Sequence, residues 1–370
     1  MQILVLNIGS SSIKYQVFAK DLSQILSGAI TGIGTSVYSW PENKNNICHD
    51  HSAAINALAV YLDNKQINPE VIAHRVVHGG NYFNGPTVID NDVMTKIAQL
   101  DNLAPLHNPI QKQAIYLTLD KFPNAKQVAF FDTAFHQTIA NTQKIIPINI
   151  DENIQNYGFH GINYDYIVSK LQAQYSKQVN TIILHLGNGA SICAVKAGQS
   201  YATSMGMTPN SGLIMGTRSG NVDPGLFLYL HNNHNMDIVA IDKLLNQNSG
   251  LKALAGSSDM QELEALALAN DPKAILAISA FVERIKFYLG GYLALLSEVD
   301  CIVFTGGIGE NSSYIRSQII NNLINFNLKI DPIKNTSRKN SVISHENSIP
   351  ILVIKANEEL HMAKISKNLI

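Results

Sequence analysis

The feature that most constrains this chain is an apolar hairpin that it contains twice. Residues 3–6 (ILVL) form an unbroken apolar run suited to a strand buried on both faces. Gly9 with Ser10, Ser11 and Ser12 then makes a turn, and residues 13–18 return as a second strand. The same grammar recurs at residues 181–195, TIILHLGNGASICAV, with Gly187, Asn188, Gly189 and Ser191 in the turn. Either hairpin alone is an ordinary strand-turn-strand; two of them half a chain apart point to a repeated phosphate-handling device. Glycine lets a backbone approach an anion, serine hydroxyls add donors, and Lys14 sits where a mobile cation reaches a terminal phosphate.

At 370 residues the natural division is into two domains. With 46% hydrophobic and 15% charged residues the chain can bury substantial cores, and a net charge of −1 gives no electrostatic case for nucleic acid or an acidic membrane surface. Its expected partners are small molecules and a second copy of itself. Cys48, Cys193 and Cys301 form no CxxC pair, and two of them lie in apolar strands, as packing residues do in a reducing compartment. No basic segment precedes the first strand, and the most apolar helical stretch, 274–282, stops at Glu283 and Arg284 before it could span a bilayer. The expectation is a soluble, cytoplasmic protein.

Along the chain, residues 39–46 read as surface, 51–62 as a helix, and 71–77 as a strand running into His78, Gly79 and Gly80. Arg75 lies among apolar residues, and a buried guanidinium needs an anionic partner. Asp132 follows the apolar strand 128–131; it is either a ligand-facing carboxylate at a strand's carboxyl end or a turn cap. The domain change falls near residues 140–155. His160, between Phe159 and Gly161, is either structural or a donor to a bound anion. The long loop 204–225, held by glycines and prolines, carries Arg218 between Thr217 and Ser219. Helices are expected at 237–245, after the capping Asp259, from Pro272 to about 296 and from 313 to about 324. Between the last two, residues 301–305 form a buried strand breaking into the glycines of GGIGEN, a shape that can seat part of a nucleotide, although no P-loop occurs. Residues 350–360 return as strand then helix, with Glu358 and Glu359 at the junction as dipole partners or ligands. The twelve histidines show no zinc spacing.

Together these segments resemble the acetate kinase family, within the group of acetate and propionate kinases. NIGSSSIKY, HRVVHGG, LAPLHNP, FDTAFHQT, YGFHG, HLGNGAS, SMGMTP, MGTRSG, GGIGEN and NEEL run through nearly the whole chain in the family's order. The resemblance implies an α/β fold of the ribonuclease H-like, actin, hexokinase and Hsp70 type: two duplicated domains around a cleft, each with a mixed five-stranded sheet. The domains would be 1–145 plus 350–370, on the acetate and metal side, and 146–349, for nucleotide binding and dimerisation. The reaction implied is ATP plus acetate giving ADP plus acetyl phosphate, with Mg²⁺, or Mn²⁺ in its place, and with cleft closure excluding water.

By the same resemblance Arg75 holds the acetate carboxylate, and Arg218 and His160 bind the transferring phosphoryl group. Asp132 organises the metal and its water, with Asn7 and Glu358 beside it. Val77, Leu106, Phe159 and Pro209 surround the acetate methyl. Lys14, His185, Leu186, Gly187, Asn188, Gly189, Asp259, Met260, Gln261, Gly307, Ile308, Gly309, Glu310 and Asn311 contact the nucleotide. The acceptor is already ionised, so positioning and charge neutralisation dominate over base catalysis. Relatives that prefer propionate tend to carry a smaller residue at Val77, which favours acetate here. Three positions depart from the pattern: Tyr164 where FHGTSH ends in histidine, Asn221 for the aspartate of RSGDIDP, and Gln261 for an arginine beside the adenine, which bears on base preference. The alternatives are a propionate or other short-chain acyl kinase and, more remotely, a nucleotide-binding protein of the same fold without transfer activity.

Overall fold

The computed structural model describes residues 1–35, 37–43, 47–149, 154–337 and 342–370. Residues 44–46 of the expected surface stretch and 150–153 of the expected domain change lie outside the described residues. The chain forms two compact units: Met1–Gln137 with Gly161–Tyr166 and Asn357–Ile370, and Thr138–His160 with Ile167–Ala356.

The first unit holds a six-stranded sheet. Its strands are β1 (Gln2–Gly9), β2 (Ser12–Ala19), β3 (Gln24–Thr31), β4 (Val71–Val76), β5 (Thr87–Val88) and β6 (Lys126–Phe131), in the order β3-β2-β1-β4-β6-β5. The hairpin strands pair antiparallel, whereas β1, β4 and β6 run parallel. The apolar run at the start of β1 is continuous because both faces are covered. Ile3 and Val5 pack with Val71, Val128 and Met362 on one side. Leu4 and Leu6 pack with Leu58, Leu62 and Ala114 on the other. Each fully buried Leu or Ile contributes about 1.5–3 kcal/mol. The helices His51–Asn64 and Asn108–Lys121 supply the second layer, and Glu358–Leu369 the first. Asp50 starts the helix His51–Asn64 by accepting from the Ala53 N–H at 2.7 Å.

The second unit holds a five-stranded sheet of β7 (Thr181–Leu186), β8 (Ala190–Lys196), β9 (Gln199–Thr203), β10 (Cys301–Thr305) and β11 (Ile351–Val353), in the order β11-β10-β7-β8-β9. Strand for strand this repeats the first sheet, three antiparallel strands followed by two parallel ones. Even the irregularity repeats: the second hairpin strand shifts register at Val17/Phe18 in one unit and at Ala194/Val195 in the other. The expected duplication is therefore present.

Four details differ from expectation. The two-residue β5 pairs antiparallel with β6 and adds a sixth strand to the first sheet. Residues 350–370 do not all join the first unit: β11 pairs with β10 in the second sheet, and only residues from Asn357 onward return to the first. The glycine turn expected at GGIGEN is itself a helical turn, Gly306–Asn311. Gly306 makes this possible, because its φ of +78° would strain an L side chain and a Cβ there would lie 2.7 Å from the Leu186 carbonyl oxygen. The helix beginning at Ser313 ends at Ile320, not 324. The helix after Asp271 runs Pro272–Leu295, as its N-cap and first-turn proline predict. All three cysteines are free and buried, and no described helix is long and apolar enough to cross a membrane.

Candidate active site

In the first unit three adjacent parallel strands deliver polar groups at one end of the sheet. Asn7 lies near the end of β1, Arg75 near the end of β4, and Asp132 directly after β6. Carboxyl ends of parallel strands are where open α/β sheets bind ligands. The anionic partner that Arg75 requires is Asp132, which is 2% exposed. Arg75 donates from Nη2 to Asp132 Oδ2 at 2.6 Å and from Nε to Oδ1 at 3.0 Å, while Nη1 donates to Asn7 Oδ1 at 3.1 Å. Burial works against the charged guanidinium, but the Asp132 charge and hydrogen bonds more than offset it and raise its pKa above the ordinary arginine value. N–H donors remain on Nη1 and Nη2 for a further anion. Expectation gave Arg75 to the substrate and Asp132 and Asn7 to a metal; in this structure the three are joined to one another.

Glu358 opens the helix Glu358–Leu369, after Asn357 accepts from the Leu360 N–H. Burial pushes its carboxyl up to about 7, Arg75 opposes the shift, and the neighbouring charges of Asp132 and Glu359 add to it. Glu358, Asp132 and Asn7 are all oxygen donors, the class that a hard divalent cation takes, and a carboxyl held this high in its acid range gains from a cation beside it. The residues thus fit such an ion. Among the described residues there is no cluster of three or more His, Cys, Asp or Glu that would make a cage. Lys14, on β2 opposite Asn7, contributes charge toward Glu358. Val77 is buried, its N–H donating to Gln111 Oε1 at 2.9 Å, whereas Leu106 is 50% exposed.

In the second unit polar groups gather around the repeated hairpin. His160 adopts a left-handed conformation, φ 62°, before the helix Gly161–Tyr175, a backbone state uncommon outside glycine. Its Nδ1 meets Ser191 Oγ at 2.8 Å, and its ring stacks on His185 with centroids 4.2 Å apart. Ser191 and His185 are cross-strand partners of β7 and β8. At the turn, a Cβ on Gly189 would stand 3.4 Å from His160 Nε2 and 3.8 Å from Arg218 Nη1, so both groups flank the bare backbone of that glycine. Arg218 arrives on the long loop, whose course is tied by Asn221. This side chain accepts from the Gly212 N–H at 2.7 Å and donates to the Tyr288 hydroxyl at 2.7 Å, so the asparagine keeps a two-way clamp at that departure. Phe159 is buried and Pro209 half-buried. The departure Tyr164 is fully buried in the first unit, edge-on to His136.

Beside the same turn the second unit has an open cavity of about 470 Å³. Of the expected nucleotide contacts, Gly187, Asn188, Asp259, Met260, Gln261, Gly307, Ile308 and Asn311 line it. Leu186 is instead core, and Gly309 is buried. Glu310 is a brace: its Oε1 accepts from the N–H groups of Gly306 and Ala356, both at 2.9 Å. Sequence reasoning missed Ser258, Glu264 and Ser312, which complete the lining. Glu264 stands one turn past Gln261 on the helix Met260–Leu268, a spacing that could have singled it out.

The family model for the acetokinase family matches residues 2–364. The chain belongs to the acetokinase family. It is 40% identical to the acetate kinase of Sulfurovum sp., over 98% of this chain and 98% of that protein. Among solved structures, a propionate kinase from Francisella tularensis superposes with a TM-score of 0.94 at 37% identity, covering 100% of both chains. The Porphyromonas gingivalis acetate kinase superposes at 0.90 with 31% identity, over 100% of this chain and 99% of that one. The two-sheet α/β architecture described above is the family's fold.

Proposed function

We infer that this member of the acetokinase family is an acetate kinase. It transfers the terminal phosphoryl group of ATP to acetate, giving acetyl phosphate and ADP, and the reaction is reversible. One observation carries the reading: a single turn, residues 187–189, lines the nucleotide-sized cavity with Gly187 and Asn188 and presents His160 Nε2 and Arg218 Nη1 at Gly189. A nucleotide seated there would have donors of both kinds around its last phosphate.

An acetate oxygen forms the new bond to the terminal phosphorus while the bond to the bridging oxygen of ADP breaks. No proton need leave the acceptor, so the residues act by position and charge. Arg218 and His160 hold the equatorial oxygens, and Ser191 fixes the His160 ring. Arg75, kept charged by Asp132, offers its remaining N–H donors to the acetate carboxylate. Val77 and Leu106 of the first unit offer apolar surface to the acetate methyl. Mg²⁺, with Mn²⁺ as substitute, would be held by Asp132, Glu358 and Asn7, and when bound it neutralises phosphate charge. The first unit serves acetate and metal and the second the nucleotide. Large apolar side chains exposed on two helices of the second unit, Phe287 at 75%, Leu228 at 65% and Leu276 at 59%, support a homodimer built through it. The three free buried thiols support a cytoplasmic location.

The structural neighbour that carries the name propionate kinase favours a second reading, an acyl kinase of that preference. Phosphorus NMR of the protein with ATP and Mg²⁺ tests both. Acetyl phosphate formed with a higher kcat/KM than propionyl phosphate is the expected result; the reverse order moves the assignment to propionate. The same-fold binding protein without transfer predicts neither product.

A further inference from the structure

We propose that Asp165 and His361 are positioning residues that set the spacing of the two carboxylates, Asp132 and Glu358, offered to the divalent cation. The proposal rests on the metal reading of those carboxylates and goes beyond it by naming the pair that acts through them.

Two helices begin in the first unit at the two carboxylates. The helix Gly161–Tyr175 starts against Asp132: the Gly161 N–H donates to the Asp132 carbonyl oxygen at 2.8 Å. That approach needs glycine, since a Cβ there would lie 2.3 Å from the same oxygen. The helix Glu358–Leu369 starts with the second carboxylate itself. One turn further on, the two helices are joined. His361 donates from Nε2 to Asp165 Oδ2 at 2.8 Å, and the Tyr166 ring meets the imidazole edge-on with centroids 5.7 Å apart. An ionised carboxylate only accepts, so the donor is the imidazole. Asp165 is four residues past Gly161 and His361 three past Glu358, the spacings that bring side chains to one face of a helix.

These contacts close a frame: from Asp132 to Gly161, along one turn to Asp165, across to His361, and back one turn to Glu358. Beside it Ile162, Met362 and Ala363 lie in one core cluster with Val5 and Val128. Apolar burial holds the helices together without direction, whereas the bond from His361 to Asp165 is directed and fixes their register. The pair contributes little to stability, because the Asp165 side chain is 44% exposed and that of His361 7%. Its contribution is geometric. Asp132 and Glu358 are far apart in the chain, and a small divalent cation tolerates little variation in where its oxygens stand.

The test is Mn²⁺ binding to the full chain by electron paramagnetic resonance, with calorimetric ADP binding in the absence of metal and urea unfolding run alongside. Asp165→Ala and His361→Ala should each weaken Mn²⁺ binding by about tenfold, the lower end of what a support behind a metal ligand is worth. The double variant should be no weaker than either single one, since each removes the same bond. Asp165→Asn should keep the wild-type Mn²⁺ affinity, because a carboxamide oxygen still accepts from Nε2–H. ADP binding without metal should stay as in the wild type. Unchanged Mn²⁺ affinity in both alanine variants overturns the proposal, as does a loss that Asp165→Asn fails to restore while its urea midpoint matches the wild type. Glu358→Gln separates the two readings. Mn²⁺ binding that Glu358→Gln leaves unmoved would sink the metal reading and the pair's role with it. Binding that Glu358→Gln weakens and both alanine variants leave alone would sink only the pair.

Discussion

Replacing Arg75 by methionine should destabilise the first unit more than replacing Asp132 by asparagine, although both remove the same ion pair. The reason is the difference in burial: the Asp132 side chain is 3% exposed and that of Arg75 23%. Arg75→Met strands a carboxylate that loses its guanidinium contacts and has little access to water, a change worth about 3–5 kcal/mol for a broken buried pair. Asp132→Asn leaves a guanidinium that still donates to an amide oxygen and to Asn7 and keeps part of its hydration, so about 1–2 kcal/mol is expected. The assay is urea unfolding followed by Trp40 fluorescence. Trp40 is the chain's single tryptophan and is 2% exposed, and its indole N–H donates to Tyr15 in the first unit's core. An equal or larger cost for Asp132→Asn would refute the reasoning.

Further expectations bear on catalysis. Arg218→Ala should lower kcat by about 10²–10³-fold or more with a smaller change in ADP affinity, because its charge counts most when the phosphoryl group is in transit; pre-steady-state kinetics with calorimetry separates the two. Gly189→Ala puts a methyl in ordinary van der Waals contact with His160 Nε2 at 3.4 Å and Arg218 Nη1 at 3.8 Å; both side chains keep their places, and crowding of the transferring group at the turn should cut kcat by about tenfold, with the far-UV spectrum unchanged. Glu358, its carboxyl pushed up to about 7 by burial, is protonated below that pH. Mn²⁺ binding followed by electron paramagnetic resonance should therefore weaken as pH falls through 7, and Glu358→Gln should flatten that dependence. Val77→Ala should raise the propionate-to-acetate ratio of kcat/KM by about tenfold, within the range of one or two methyl groups.

The fold was legible because the two hairpins announce themselves locally: an apolar run buried on both faces, a glycine turn, a returning strand. The expected helix caps at Asp259 and Asp271 were legible for the same reason. What failed was non-local. Residues 351–353 look the same whichever sheet receives them, and only the pairing of Ile351–Val353 with β10 decides it. The site divides along the same line. Arg75, Asp132, His160 and Arg218 stood out by residue type and setting, but the partnership of Arg75 with Asp132 spans 57 residues and could not be read from either neighbourhood. Glu310, inside a nucleotide-like segment, turned out to brace Ala356, 46 residues away. Glu264 looked like any glutamate on a helix until the cavity set it apart.

The central claim is that His160 and Arg218, gathered at Gly189 beside the nucleotide cavity, serve phosphoryl transfer to a carboxylate. Hydroxylamine trapping of acyl phosphate from ATP, Mg²⁺ and acetate, by the wild type and Arg218→Ala, tests it most directly. Acetyl hydroxamate from the wild type, reduced at least about a hundredfold in the variant, is the predicted result. No hydroxamate from acetate, propionate or butyrate with any nucleoside triphosphate, while the protein still binds ADP, would contradict it.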